Sequence, residues 1–94
     1  MKFMVSWTVY PGKGPEATNR FLNMRAEHRP PVKGIQIVGE WISVDNSRGW
    51  SVLESESAEA VYESNALWSG LLEFHTEPVI SHDDAESIQK RASR

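Results

Sequence analysis

The sequence predicts one α+β domain whose elements run β-α-β-β-α-β, and three observations support this prediction. The chain has 94 residues, which is the size of a single domain. Apolar side chains alternate along four short segments, as they do in strands. Two segments between these carry apolar residues three or four positions apart, as helices do. An antiparallel sheet with both helices on one face fits this order.

The first strand is predicted at residues 3–10, which are rich in aromatic and β-branched types. Alternation separates two sets of side chains, with Phe3, Val5, Trp7 and Val9 on one side and Met4, Ser6, Thr8 and Tyr10 on the other. The strand is expected to end at Pro11-Gly12, because proline cannot continue a hydrogen-bonded ladder and glycine turns easily.

The first helix is predicted to begin at Pro15, where the missing amide hydrogen of proline costs nothing. Its apolar face is expected to hold residues three or four apart, namely Ala17, Phe21, Met24 and His28. We expect Pro30-Pro31 to end this helix, because proline disrupts the hydrogen bonds of a helix interior.

Residues 34–45 and 50–54 are predicted to form a β-hairpin, because both are strand-like and residues 45–49 have turn composition. A second helix follows, capped by Ser55 or Ser57. Its buried side is expected to hold Ala58, Val61, Tyr62 and Trp68. The last strand is predicted at residues 71–80, where Pro78 favours a sheet edge or a bulge.

These elements define a ferredoxin-like α+β domain over residues 1–82, with a four-stranded antiparallel sheet and two helices on one face. Residues 83–94 are predicted to form a short polar C-terminal helix or a frayed tail. Acidic residues come first in this segment and basic residues last, an order that complements a helix dipole.

The composition excludes several classes of function. The chain has no cysteine, so disulfides, thiolate metal sites and a cysteine nucleophile are excluded. Its formal net charge of −3 has the wrong sign for a protein that holds nucleic acid by charge. No apolar run has the length of a membrane span, and the first residues lack the pattern of a signal peptide. We therefore expect a cytoplasmic protein without nucleic-acid or membrane partners.

Two helices can cover one face of a four-stranded sheet, yet the predicted strands have apolar residues on both sides. In residues 34–45, for example, alternation places Ile35, Ile37 and Trp41 on one side and Val38, Ile42 and Val44 on the other. A strand that is apolar on both faces requires cover on both faces. The sequence therefore predicts a homodimer through the uncovered sheet face, or a C-terminal segment that folds back over it.

Several short motifs resemble a small family of bacterial and phage proteins without an assigned function. The motifs are residues 3–8 with Pro11-Gly12, Gly39-Glu40-Trp41, residues 48–54, Trp68, and residues 71–74 with Pro78-Val79. That family belongs with the dimeric α+β barrels, so the resemblance implies a homodimer whose two sheets close around a cavity. Other branches of the superfamily include cofactor-free monooxygenases, haem-degrading enzymes, isomerases and ligand-sensing domains. No catalytic signature of these branches matches this chain.

The candidate ligand-binding residues come from three predicted strands and are Ser6, Trp7, Thr8, Trp41 and Trp50. Tryptophans on a sheet that faces a partner could line a pocket for a hydrophobic or aromatic ligand. Alternatively, they anchor the core or the subunit interface. An open cavity between the sheets would favour the first interpretation, and a filled interface would favour the second.

Glu54 and His75 are the candidate catalytic residues. In a closed cavity beside Trp50, desolvation would raise the pKa of Glu54 and suit it to act as a general base. His75 shares a strand face with Glu77, and such a pair can transfer protons. The alternatives are a Glu54 carboxylate that is solvated or paired with an arginine, and a solvent-exposed pair of His75 with Glu77.

Neither a metal site nor a cofactor is expected. The potential metal ligands form no compact motif, and they are His28, His75, His82, Asp83 and Asp84. The predicted function is the binding of a small hydrophobic or aromatic ligand between the paired sheets of a homodimer. The alternatives are a cofactor-independent enzyme of the monooxygenase or isomerase type, and a non-catalytic module for dimerisation or regulation.

Overall fold

The computed structural model describes residues 1–27 and 32–93, and its elements follow the predicted order. The strands are β1 (Lys2–Val9), β2 (Gln36–Ile42), β3 (Arg48–Glu54) and β4 (Leu72–Val79). The helices are α1 (Gly14–Ala26), α2 (Ala58–Ala66) and α3 (His82–Ala92). The predicted face residue His28 and the predicted helix stop at Pro30-Pro31 lie outside the described residues.

The four strands form one antiparallel sheet in the order β2-β3-β1-β4. With α1 and α2 packed on one face, this is the ferredoxin-like topology, so the predicted α+β fold class is confirmed. β2 and β4 are the edge strands. Pro78 therefore lies in an edge strand, one of the two positions that its sequence context predicts.

The main hydrophobic core lies between the sheet and α2. Phe3 and Val5 from β1 and Leu53 from β3 pack with Ala60 and Val61 from α2. Each large apolar side chain buried in this way contributes about 1.5–3 kcal/mol of transfer free energy. The strand face that carries Phe3 and Val5 is therefore the one that the helices cover, a choice that alternation alone leaves open.

A second, smaller cluster attaches α1 to the sheet. Ala17 of α1 packs with Leu71 and Leu72, and Trp7 and Phe74 contact both this cluster and the main core. Trp7 thus joins the two parts of the covered face.

Three helix residues predicted to be buried are exposed, namely Phe21 at 44%, Tyr62 at 77% and Ala58. On α1, Ala17 is the buried residue, and further along the helix the Arg25 guanidinium lies over the Phe21 ring at 5.8 Å from its centroid. On α2, Ala60 and Val61 face the sheet. The next residue, Tyr62, is rotated about 100° around the helix and points away.

A β-bulge in β2 changes which of its side chains share a face, so the predicted grouping differs from the observed one. Ile37 pairs with Leu53 on the covered face, whereas Trp41 pairs with Trp50 on the opposite face. The register shifts between Ile37 and Gly39, which makes Val38 the extra residue. Strict alternation places Ile37 and Trp41 together, and this prediction is wrong because the bulge reverses the parity of the strand.

Ser57 caps α2, which decides between the two predicted capping residues. The Ala60 amide donates a hydrogen bond to the Ser57 hydroxyl at 3.1 Å. Ser55 is buried instead, and its hydroxyl donates to the Gly34 carbonyl at 2.8 Å. It therefore connects the start of α2 to the segment that leads into β2.

Asp45 organises the turn between β2 and β3. Its Oδ1 accepts hydrogen bonds from the Ser43 and Ser47 hydroxyls, both at 2.7 Å, and from the Ser47 amide at 3.1 Å. Asn46 follows with a φ of +63°, a left-handed conformation that asparagine tolerates. The turn has the predicted length but lies two residues earlier, because β2 already ends at Ile42 and β3 begins at Arg48.

The hydrogen bonds to Asp45, led by the one from Ser43, lower the pKa of this carboxyl from 3.8 to about 2. Because the pKa is lower in the folded state, the carboxylate stabilises the fold above pH about 4, and this contribution is lost as the pH falls toward 2. We expect a carboxyl NMR titration to give about 2 for Asp45. Asp45→Asn should lose less stability than the wild type over the same pH interval. A titration midpoint of the Asp45 carboxyl near 3.8 would contradict this account.

α3 follows β4 without covering the sheet. The Asp84 amide donates to the Ser81 hydroxyl at 3.0 Å, which caps the helix, and Lys90 pairs with Glu86 at 3.0 Å. No residue of α3 is buried, and the chain extends over 54 × 27 × 19 Å. The predicted alternative, a C-terminal segment folded back over the sheet, is therefore wrong. No helix in residues 1–27 and 32–93 has the length and hydrophobicity that crossing a membrane requires.

Candidate functional site

The sheet face turned away from α1 and α2, called the open face below, carries the candidate site. Directly paired residues on antiparallel strands point to the same side, so the strand register defines rows across this face. One row runs from β2 through β3 and β1 to β4 and consists of Trp41, Trp50, Ser6 and His75. The next row, over β3, β1 and β4, consists of Arg48, Thr8 and Glu73.

The open face is apolar only over part of its width. The row on the other side of Ser6 consists of Gly39, Val52, Met4 and Glu77. Together with the two tryptophans, this row makes an apolar patch over β2, β3 and β1, defined here by Trp41, Trp50, Val52 and Met4. β4 contributes polar residues. The predicted two-sided apolar character therefore holds for three strands and fails for the fourth.

Trp41 is the most exposed aromatic residue of the apolar patch, at 58%. Its ring folds over Gly39, so that a β-carbon added at Gly39 would lie 2.5 Å from Trp41 Cη2. Glycine at this position therefore lets the indole lie flat on the sheet. Trp50, directly opposite on β3, is half-buried.

The structure places Trp7 apart from the other candidate ligand-binding residues. Ser6, Thr8, Trp41 and Trp50 lie on the open face, whereas Trp7 lies on the covered face and packs against both core clusters. Its ring lies over Gly49, the residue paired with it on β3. Ligand binding by the residues of the open face remains a prediction. Trp7 lies on the opposite side of the sheet from them and packs in the core.

A groove of about 420 Å³ runs across the open face over β3, β1 and β4. The lining side chains from the two rows described above are Ser6, Thr8, Arg48, Trp50, Glu73 and His75, with Trp7, Gly49 and Phe74 between them in sequence. The volume lies within the range of about 300–1,000 Å³ that is typical of small-molecule sites. The groove combines an aromatic ring, two hydroxyls and charges of both signs.

Arg48 and Glu73 are groove residues that the sequence reasoning missed. The Arg48 guanidinium lies over the Trp50 ring, 5.3 Å from the centroid. One signal for this contact exists in the sequence, because residues i and i+2 of a strand share a face, so Arg48 and Trp50 are neighbours once β3 is assigned. Glu73 enters the groove through the register of β4 against β1, which only the structure shows.

Glu54 lies at the end of β3 and is bound to the N-terminus. The Met1 amine donates to Glu54 Oε1 at 2.8 Å and to Glu56 Oε1 at 3.3 Å. The hydrogen bond between the Met1 amine and Glu54 lowers the pKa of Glu54 and raises the pKa of the amine. In this chain the shift is opposite to the expected rise, because a cationic partner outweighs desolvation. The partner is the N-terminal amine, not an arginine.

His75 and Glu77 are close together on the open face and accessible to solvent. His75 Nε2 lies 3.8 Å from Glu77 Oε1, and the two side chains are 75% and 59% exposed. The Ser6 hydroxyl donates to the His75 carbonyl at 3.5 Å, which connects β1 with β4 beside the groove. In the single chain the pair therefore has the solvent-exposed arrangement. Of the two candidate catalytic residues, only His75 lines the groove.

The possible metal ligands do not converge in the part of the chain that the structure describes. No three histidine, aspartate or glutamate side chains are grouped there so that they could hold a metal ion. His82, Asp83 and Asp84 form the first turn of α3. Of these, Asp83 and Asp84 contribute negative charge where the helix dipole favours it.

Comparison with known families places the whole fold in one family. The family model of DUF3303, a domain of unknown function, matches residues 1–93, which include every element from β1 to α3. None of the curated proteins matches the chain. The predicted resemblance to a family without an assigned function is thereby confirmed.

Proposed function

Because the chain belongs to the DUF3303 family, whose function is unknown, we propose a function from the open face of its sheet. The protein is a homodimeric domain that binds a small hydrophobic or aromatic ligand between two paired sheets. The observation that carries this proposal is the position of the groove. The groove of about 420 Å³, which has aromatic and hydroxyl-bearing side chains, lies directly beside the exposed apolar patch.

The apolar patch supports the pairing of two chains. Met4 and Trp41 are exposed on the open face, and Val52 and Trp50 lie half-buried between them. Covering such a surface contributes about 25 cal/mol for each Å² of apolar area removed from water. A two-fold dimer brings the same patch of each chain against its copy, so both patches are covered at once.

Edge strand β2 gives independent support for self-association. Its apolar side chains are exposed on both sides of the sheet, as Ile37, Val38, Trp41 and Ile42 show. An apolar edge strand with unpaired backbone groups tends to join another chain. A second copy that packs on the open face and along β2 would cover both surfaces.

The polar side chains of the groove support a cavity instead of a filled interface. Ser6 and Thr8 lie in the centre of the open face, where their small side chains leave space between larger neighbours. Two packed sheets lie about 10 Å apart, so two facing grooves combine into one enclosed space. The hydroxyls of Ser6 and Thr8 would orient a ligand in that space.

Binding is favoured over catalysis by the state of Glu54. A general base needs a pKa near the working pH, but the N-terminal amine lowers the pKa of Glu54. Glu54 also lies outside the groove lining. His75 remains as the histidine that lines the groove, and one solvated histidine supports ligand binding at least as well as proton transfer.

The proposal is tested with N-phenyl-1-naphthylamine, a neutral aromatic dye that becomes fluorescent in apolar sites. We expect saturable binding to the wild type, and at least tenfold weaker binding to Trp50→Leu, because aromatic stacking and apolar burial are lost. Phe21→Leu is the matched control, since it changes an exposed aromatic side chain on α1 and should leave binding unchanged. Equal dye affinity for all three proteins, or no saturable binding, would contradict the proposal.

A further inference from the structure

The groove on the open face contains one permanent positive charge. Among the described residues that line it, Arg48 is the only lysine or arginine. In residues 1–27 and 32–93 the structure shows no direct ion pair of Arg48 with a carboxylate, although its charge helps to lower the pKa of the nearby Asp45. Its guanidinium stacks over Trp50 at 5.3 Å. A guanidinium held against a ring loses less rotational freedom when it binds a carboxylate. Arg48 is therefore positioned to receive an anionic group above an aromatic surface.

The opposite side of the groove carries the opposite charge. Glu73 lies in the same row as Arg48, with Thr8 of the central strand between them. Two strand spacings separate the backbones of Arg48 and Glu73 by about 10 Å, and the structure shows no ion pair between these two side chains across Thr8. The groove is thus positive and aromatic over β3, hydroxyl-bearing over β1 and negative over β4. This gradient orients any charged ligand.

We infer that the groove binds planar aromatic carboxylates in preference to their neutral analogues, an inference that rests on the proposed ligand-binding function. The ring of the ligand stacks beside Trp50, and its carboxylate accepts two parallel hydrogen bonds from Arg48. The Thr8 hydroxyl lies next to Arg48 in the row and donates to the same carboxylate. Repulsion from Glu73 directs the carboxylate toward β3 and away from β4.

The test compares 2-naphthoate with 2-naphthamide, which have the same ring system and nearly the same shape but differ in charge. Binding is measured by calorimetry at low and high salt. The wild type should bind naphthoate at least tenfold more tightly than naphthamide, since hydrogen bonds to charged groups are the stronger ones. Arg48→Gln should remove this preference, because it weakens naphthoate binding by a much larger factor than naphthamide binding. Arg48→Lys should retain part of it.

Glu73→Gln is the matched control on the other side of the groove. Removal of its negative charge should tighten naphthoate binding by about twofold at low salt, with a smaller effect at high salt because charges about 10 Å apart are screened. The same change should affect naphthamide binding less than naphthoate binding. Opposite effects of Arg48→Gln and Glu73→Gln on naphthoate would establish the direction of the charge gradient.

Three results would overturn the inference, and they are distinguishable from one another. Equal binding of both probes, unaffected by Arg48→Gln, would reject the carboxylate preference and leave the proposed ligand-binding function intact. Dissociation of the dimer by Arg48→Gln would assign this residue to the subunit interface instead. Binding of neither probe, together with no binding of the neutral dye, would reject the proposed function and the inference with it.

Discussion

Trp41→Glu is expected to convert the proposed homodimer into a folded monomer, with a dissociation constant at least 100-fold higher than that of the wild type. The substitution removes the most exposed aromatic anchor of the apolar patch and places a carboxylate where two chains are proposed to meet. Loss of an aromatic anchor alone costs about 2 kcal/mol or more, and burying an unpaired charge adds several kcal/mol. Sedimentation velocity over a range of concentrations measures this change.

The fold itself should survive the Trp41→Glu change, because Trp41 is 58% exposed in the single chain and contributes little to the core. Circular dichroism therefore serves as the measurement of integrity. Ile88→Glu is the matched control, since it introduces the same charge at an exposed apolar residue of α3. A Trp41→Glu protein that stays dimeric, or an Ile88→Glu protein that dissociates equally, would place the interface elsewhere.

Gly49→Ala is expected to lower the free energy of unfolding by about 2–3 kcal/mol, near the upper end of the range for overpacked cores. Gly49 is buried, and an added β-carbon would lie 2.6 Å from Trp7 Cε2, which the core holds in place. The indole would have to leave its position between the two clusters. For a chain of this length the melting temperature should fall by about 10–20 °C.

Gly39→Ala separates this packing effect from the general cost of replacing a strand glycine. There the added β-carbon would meet the ring of Trp41, an exposed side chain that can swing away. We expect a loss of stability below about 1 kcal/mol, together with weaker self-association, because the indole can no longer lie flat on the open face. Urea unfolding at matched protein concentration checks both variants. Equal losses for the two variants would contradict the assigned role of Trp7.

The order of the elements could be predicted from the sequence because each strand and helix carries its own pattern of apolar residues. The hairpin turn, the edge position of Pro78 and the serine cap of α2 have local signals of the same kind. These features depend on neighbours within a few residues, so one segment of sequence is enough to specify them.

The arrangement of the site could be predicted only in part, because it depends on contacts between distant segments. The bulge at Val38 reverses the parity of β2, and alternation alone does not locate it, although the adjacent Gly39 is the residue type that marks strand bulges. The ion pair of Glu54 with the N-terminus joins residues 53 positions apart. Trp7 and Trp50 look equivalent as aromatic strand residues, yet the choice of covered face places one in the core and the other beside the groove.

Isotope-filtered NMR on an equal mixture of labelled and unlabelled chains tests most directly whether a second chain covers the open face. It detects protons of one chain that lie within about 5 Å of the other, the distance of packed side chains. The account predicts intermolecular signals from the indole protons of Trp41 and Trp50. Intermolecular signals confined to other surfaces, such as Phe21 or α3, or a molecular mass of 10.6 kDa at every concentration, would contradict it.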